Sequence, residues 1–176
     1  MGNVYITSDL HLGHKNIPGF RNKGKWALLK TEEEHADHIL SAWEQNINKR
    51  DIVIIAGDIL FDPKYLDRFR ELPGRKQLVL GNHDDLNASI YTDMAEVVRG
   101  AWSRKRTWIT HIPVHPLELR GRLNVHGHVH YSTIQDRRYM NVCVEEAEFE
   151  FPFFRWDLDV KPRIAEASAI FNKEHL

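Results

Sequence analysis

The run Asp51 to Gly57, DIVIIAG, constrains this chain more than any other segment. Its unbroken apolar stretch belongs to a strand buried on both faces, so the sheet that holds it must be covered on each side. The run stops abruptly at Asp58. Val4 to Ser8 (VYITS) has the same character and stops at Asp9, and Lys76 to Leu80 (KQLVL) feeds Gly81-Asn82-His83-Asp84. Between the first two runs, Thr31 and Glu34 form a capping box. Ile39, Leu40, Trp43 and Ile47 then recur at helical spacing, which predicts a helix over Glu32 to Asn48. Between the second and third, Asp62 before Pro63 reads as an N-cap, and Tyr65, Leu66, Phe69 and Leu72 form an inner stripe that Pro73-Gly74 ends. This β-α-β-α-β order implies parallel strands joined by right-handed crossovers, an α/β fold.

The second half reads as richer in β-structure, with strands over Ala95 to Arg99, Arg106 to Thr110, Leu123 to His126 and Met140 to Val144. Phe149 to Trp156 is compatible with strand or with a turn around Pro152, and Arg163 to Phe171 is a modest amphipathic helix. No repeat or linker interrupts the 176 residues, so a single domain over 1–176 is expected. With 24 basic and 25 acidic side chains, no global field draws the chain to nucleic acid or to an anionic membrane. The sole cysteine, Cys143, excludes a disulfide framework and any thiolate cluster. No apolar run approaches the roughly 18 residues of a membrane span. The opening MGNVYITSD does not resemble a secretory leader, so a cytoplasmic location is expected.

The chemistry lies at the strand ends. Six of the 11 histidines crowd into HLGH, GNHD and HGHVH. Asp9 and His11 follow the first strand, Asp58 the second, Asn82 and His83 the third, His111 a fourth, and His128 and His130 a fifth. Ligands of open α/β sheets bind beyond the carboxyl ends of the strands, so these groups are expected on one rim. In an extended segment, Asp9-x-His11 and His128-x-His130 would each put two side chains on one face. Nitrogen and oxygen donors without sulfur favour Mn2+, Fe2+ or Zn2+. Seven ligands are too many for one tetrahedral ion and suit two ions sharing the Asp58 carboxylate, about 3.5 to 4 Å apart. Such a site is electropositive and attracts phosphate.

Asp9-Leu10-His11, Gly57-Asp58, Gly81 to Asp84, His111 and Gly127 to His130, in that order, resemble the calcineurin-like metallophosphoesterase superfamily. The resemblance spans Val4 to Val144 and is nearest to small stand-alone bacterial and phage members in SDLHLGHKNI and LPGRKQLVLGNHD. It implies a four-layer α/β-β/α sandwich with a dinuclear site. Asp9, His11, Asp58 and His130 would hold one metal, and Asp58, Asn82, His111 and His128 the other. Manganese is the first expectation, with iron, zinc or nickel as alternatives. The implied reaction is in-line attack of a metal-bridging hydroxide on a phosphate ester, with His83 protonating the leaving group and Asp84 a candidate to orient its imidazole. A small phosphate ester, a nucleotide among the candidates, is the expected substrate. An uncapped site favours diesters. GDILFD and Leu80 depart from the GDxxDRG stretch and the arginine of the protein Ser/Thr phosphatases. A single-stranded nuclease and a non-catalytic metal-binding scaffold are the alternatives.

Several residues have plainer readings. His35, His38 and His175 read as helix-surface or tail residues, whereas His14, His115 and His126 are candidate donors behind the ligands. Lys15, Arg21 and Lys23 read as a solvated loop face, with contact to a substrate phosphate as the alternative. Arg99, Arg104, Lys105 and Arg106, interleaved with Trp102 and Trp108, read as strand residues, with a nucleic-acid groove as the alternative. Arg137-Arg138 reads as a surface turn and Cys143 as a buried small residue.

Overall fold

The computed structural model describes residues 2–84 and 89–174. Nine strands run in chain order β1 (Val4–Thr7), β2 (Ile52–Ala56), β3 (Arg75–Val79), β4 (Val97–Arg99), β5 (Ala101–Arg104), β6 (Thr107–Thr110), β7 (Leu123–His126), β8 (Tyr139–Asn141) and β9 (Phe154–Arg155) among these residues. Helices are α1 (Ile17–Phe20), α2 (Glu32–Asn46), α3 (Leu66–Glu71), α4 (Ser89–Thr92) and α5 (Lys161–Glu174). One sheet has the order β4-β3-β2-β1-β9 and the other β5-β6-β7-β8. Strands β1 to β4 are mutually parallel, as are β6 to β8, while β9 and β5 pair antiparallel at the edges. No helix among the described residues is long and apolar enough to cross a membrane.

Alternation along β2 explains its apolar run. Val53 and Ile55 pack with Ile39, Leu40 and Trp43 of α2 and with Phe69 of α3. Ile54 and Ala56 face the other way, into a core shared with Ile109, Val125 and Met140 of the second sheet. Each fully buried Val, Leu, Ile or Phe among them contributes about 1.5–3 kcal/mol relative to exposure. Trp43 is completely buried, yet its indole N–H donates to the Pro73 carbonyl at 2.7 Å, so no polar group is stranded. The capping box at the start of α2 forms as expected, and α5 contributes Ala167 to the core it shares with Leu123.

The departures from expectation are local. Helix α2 stops at Asn46 because Ile47 adopts an extended conformation as its C-cap. Pro63 opens a single 3-10 turn over Pro63–Tyr65, capped by the Asp62 carboxylate through the Lys64 N–H at 2.9 Å, before α3 begins. The strand expected over Met140 to Val144 is β8, followed by a turn at Val144–Glu146. Strand β5 was not anticipated. It forms a hairpin with β6 through Lys105 and Arg106, whose φ values of 46° and 63° build a left-handed two-residue turn without glycine.

His35 is not a surface residue. It is buried and stacks on Trp26 with centroids 5.8 Å apart, and burial together with Arg21 depresses its pKa to about 4. His38 pairs with the Phe149 carbonyl at 2.6 Å, and His175 lies outside the described residues.

The carboxyl ends of β1, β2 and β3 meet those of β6 and β7 along one seam. Ser8 bridges to Cys143 across it, and the Val144 N–H donates to the Ser8 carbonyl at 3.1 Å.

Candidate metal centre

Backbone conformation aims the ligands into this seam. Asp9, His11, Asp58, His128 and His130 all have positive φ, between 48° and 72°. This left-handed region is uncommon outside glycine, although Asp and His are among the residues enriched there. The expected alternation in an extended segment is therefore replaced by a different device: each Asp-x-His or His-x-His unit turns sharply just past its strand. Gly127 lets the turn after β7 close onto β1, because a Cβ there would overlap Ser8 Oγ and Asp9 Oδ2. Gly57, at φ 97°, makes the equivalent approach to His111.

Asp9 is fully buried, and its Oδ2 accepts from Ser8 Oγ at 2.6 Å, the His128 N–H at 2.9 Å and Cys143 Sγ at 3.1 Å. Its other oxygen, Oδ1, has no hydrogen-bond partner and lies 3.5 Å from His11 Nε2 and 3.7 Å from His130 Nε2. His11 Nε2 is also buried without a hydrogen-bond partner, 3.6 Å from Asp58 Oδ2. The same Asp58 oxygen is 3.4 Å from His111 Nε2. Around that nitrogen gather Asn82 Oδ1 at 2.9 Å and His128 Nδ1 at 3.2 Å. Donors about 2.1 Å from a divalent ion stand roughly 3.0–3.4 Å from one another. The group around His111, at 2.9–3.4 Å, has close to that spacing, and the group around His11, at 3.5–3.7 Å, is slightly wider. All seven expected ligands are thus brought together, with Asp58 Oδ2 common to both groups.

The rings are oriented from behind. His111 Nδ1–H donates to the Ala56 carbonyl at 2.9 Å, and His130 Nδ1–H to Glu145 Oε1 at 2.9 Å, leaving each Nε2 as an acceptor turned inward. Burial disfavours charge on both rings, but Asp58 and Asp9 beside His111, and Glu145 and Asp9 beside His130, outweigh it and raise their pKa values. Burial also opposes ionisation of Asp9, yet His11 and His111 hold it well below the usual carboxylate range. Two buried carboxylates beside inward-turned imidazole nitrogens make a setting that favours cations.

Glu145 and Arg21 were not read as site residues from the sequence. Arg21 is completely buried, so it neither lines a solvated loop face nor reaches substrate. Its guanidinium donates to Glu145 Oε1 at 2.6 Å, to the Leu10 carbonyl at 3.3 Å and to the Asp9 carbonyl. Burial opposes the charge on Glu145, but Arg21 and His130 prevail and bring its pKa to about 2. The available signal was positional, since Glu145 follows the apolar MNVCV as Asp9 and Asp58 follow their strands. Loss of such a supporting carboxylate costs about 10- to 100-fold in metal affinity. Glu145→Gln is expected to fall in that range by competition with a chelator, and unchanged affinity would show that His130 needs no anchor.

Asp84 has a different task from the one considered for it. Its Oδ2 accepts from the N–H groups of Asp58 and Gly81 at 2.8 Å each, and its Oδ1 from Ile59 N–H and Tyr91 O–H at 2.9 Å each. Both oxygens are engaged in locking the loop after β3 to the end of β2, so they do not orient the His83 imidazole. His83 is exposed at the rim, with its N–H donating to Asp58 Oδ1 at 3.1 Å and its ring 5.3 Å from Phe61. Phe61 stacks on His11 at 4.8 Å, a contact the sequence reading missed.

Of the candidate supporting histidines, His14 packs edge-on to His11 at 5.6 Å and His126 pairs with the Gly127 carbonyl at 2.9 Å. His115 instead caps the turn Pro116–Glu118. Arg99 and Arg104 lie against Trp102, and Lys105-Arg106 form the turn at the end of β6 opposite His111. The basic and aromatic stretch therefore leads away from the centre. Lys23 lies over Tyr131 at 4.8 Å, and Cys143 is buried with its thiol pKa pushed up by burial and Asp9.

Comparison with known proteins matches these features. Over 89 residues the chain is 40% identical to the Gene 66 protein of Mycobacterium phage L5, a match covering 48% of this chain and 41% of that protein. The Gene 66 protein of phage D29 is 37% identical over 108 residues, 58% of this chain and 50% of its own length. The chain thus spans half the length or less of these curated relatives. The uncharacterised protein MJ1445 of Methanocaldococcus jannaschii is 24% identical over 163 residues, 85% of this chain and 86% of its own. The crystal structure of AQ665 from Aquifex aeolicus, a protein of unknown function, superposes with a TM-score of 0.65 at 22% identity, covering 89% of this chain and 97% of that one. That likeness shows the fold. The family model for calcineurin-like phosphoesterases, metal-dependent hydrolases of phosphoric esters, matches residues 2–162, and the chain belongs to that family.

Proposed function

We propose that this chain hydrolyses phosphate esters, diesters in preference to monoesters, at a centre that holds two divalent ions. The observation that carries this reading is the position of Asp58 Oδ2, 3.6 Å from His11 Nε2 and 3.4 Å from His111 Nε2, beside the unpaired buried Asp9 Oδ1. Asp9, His11, Asp58 and His130 would hold one ion, and Asp58, Asn82, His111 and His128 the other. Divalent ions bound there supply a lowered water pKa and neutralise charge on phosphoryl oxygens. Manganese is our first choice, with iron, zinc and nickel as alternatives, all of them compatible with a nitrogen and oxygen donor set.

The protein's own part is positioning and proton transfer. Glu145 and the Ala56 carbonyl fix the His130 and His111 rings, and Asp84 fixes the loop that carries Asn82 and His83. His83, at the rim and outside both ligand groups, donates a proton to the departing oxygen.

The diester preference rests on the cations. Arg21 is buried against Glu145 and Lys23 lies over Tyr131, so of the three loop cations only the exposed Lys15 is left to meet the additional negative charge of a monoester beyond the ions. A bis-aryl phosphate diester should therefore turn over faster than the matching monoester in a panel with Mn2+, Ni2+, Zn2+ and Mg2+. A monoester preference would overturn the diester assignment, and no turnover with any metal would leave a binding scaffold. Faster cleavage of single-stranded nucleic acid than of small diesters would identify a nuclease.

A further inference from the structure

Of the five large apolar side chains left exposed among the described residues, Phe20 is the aromatic one, at 63% exposure. Its setting is not that of a loose surface residue. It ends α1, between Ile17 and Arg21, which are 1% and 0% exposed. Arg21 in turn hydrogen-bonds the carbonyls of Asp9 and Leu10, so the position of Phe20 is tied to the ligand loop itself. From Phe20 a continuous set of rings leads to the ligands. His14 lies 5.7 Å from Phe20, Phe61 lies 4.7 Å from His14, and Phe61 stacks on His11 at 4.8 Å. The same Phe61 ring is 5.3 Å from His83.

We propose that Phe20, with His14 and Phe61, forms an aromatic shelf that stacks the planar ring of the leaving group, a nucleobase, beside the metal centre. The inference rests on the proposed phosphoesterase reading and names its substrate class: esters whose departing alcohol is a nucleoside. The side of the shelf follows from His83. A group that protonates the leaving oxygen faces the departing alcohol, and beyond His83 lie Phe61, His14 and then Phe20. Aromatic faces suit a base because every base has a π-face, and such stacking is sequence-tolerant.

Binding tests this without requiring turnover. AMP and ribose 5-phosphate share the phosphate and the sugar and differ in the base. Calorimetry on the zinc-loaded chain should give AMP about five- to a hundredfold tighter binding, the scale of base stacking on one aromatic ring. On the metal-free chain, the adenine ring protons of AMP should shift upfield when it binds. Phe20→Ala and Phe20→Leu should reduce the AMP preference at least about fivefold, and Phe20→Trp should restore it. Equal affinities in the unaltered chain, or a preference that survives Phe20→Leu, would overturn the shelf. Should AMP be preferred through Phe20 while the loaded chain cleaves no ester, the shelf stands and the phosphoesterase reading fails.

Discussion

Asp58→Asn is expected to take the chain from two bound equivalents of metal to fewer than one, and to lower ester hydrolysis by about 10³ or more. Deleting a single donor to transition-state charge already costs about 10² to 10³. The substitution removes the charge from a side-chain oxygen that faces both ligand groups, 3.6 Å from His11 and 3.4 Å from His111. It disturbs little else. Asn tolerates the left-handed conformation that Asp58 adopts at φ 55°, and an amide oxygen can still accept from the His83 N–H. Asn82→Ala provides the contrast, because Asn82 meets only the group around His111, and this variant should retain about one equivalent. Elemental analysis of the purified variants decides the matter. Two full equivalents on Asp58→Asn would show that the carboxylate is not shared.

His83→Ala should slow esters with an alkoxide leaving group by about 10² to 10⁴, the usual range for a general acid, while both metals stay bound. His83 is exposed, it stands outside both ligand groups, and its ring packs against Phe61 at 5.3 Å with His11 at 6.3 Å. A nitrophenolate departs without a proton, so the same variant should be only mildly impaired on activated aryl esters. Comparing kcat/KM on the two ester types measures the difference directly. Loss of metal would make His83 a ligand. Equal slowing of both ester types would place its action on the phosphoryl charge common to the two reactions.

The sequence disclosed the parallel half of the fold well because β1 and β2 are buried on both faces and such strands are written as apolar runs, while β3, though it opens Arg-Lys-Gln, ends in the apolar Leu78-Val79. Strand β5 was hidden for the opposite reason. It lies at a sheet edge, pairs only with β6, and reads Ala-Trp-Ser-Arg, with exposed residues alternating with half-buried ones. At the site, the ligand types and their order were legible, but the backbone that converges them was not. Alternation along a strand and a left-handed turn past its end can both bring Asp9 and His11 together, and no rule of residue spacing distinguishes them. Arg21 and Glu145 were misjudged because charged residues are seldom fully buried, and a pair separated by 124 positions carries no local signal of pairing. His35 was misplaced because its burial depends on Trp26, from the turn Gly24–Leu28, nine positions away in the sequence.

The seam between the sheets has one more consequence. Asp9, His11, Asp58 and Asn82 hang from the first sheet, whereas His111, His128 and His130 hang from the second. Ions held by both sets would act as rivets, since the two halves could separate there only by surrendering metal. A ligand at 100 times its dissociation constant adds about 2.7 kcal/mol to folding stability. The lifetime of the folded chain would then follow the metal supply of its surroundings, and scarcity would expose the seam to proteases as well as silence the chemistry.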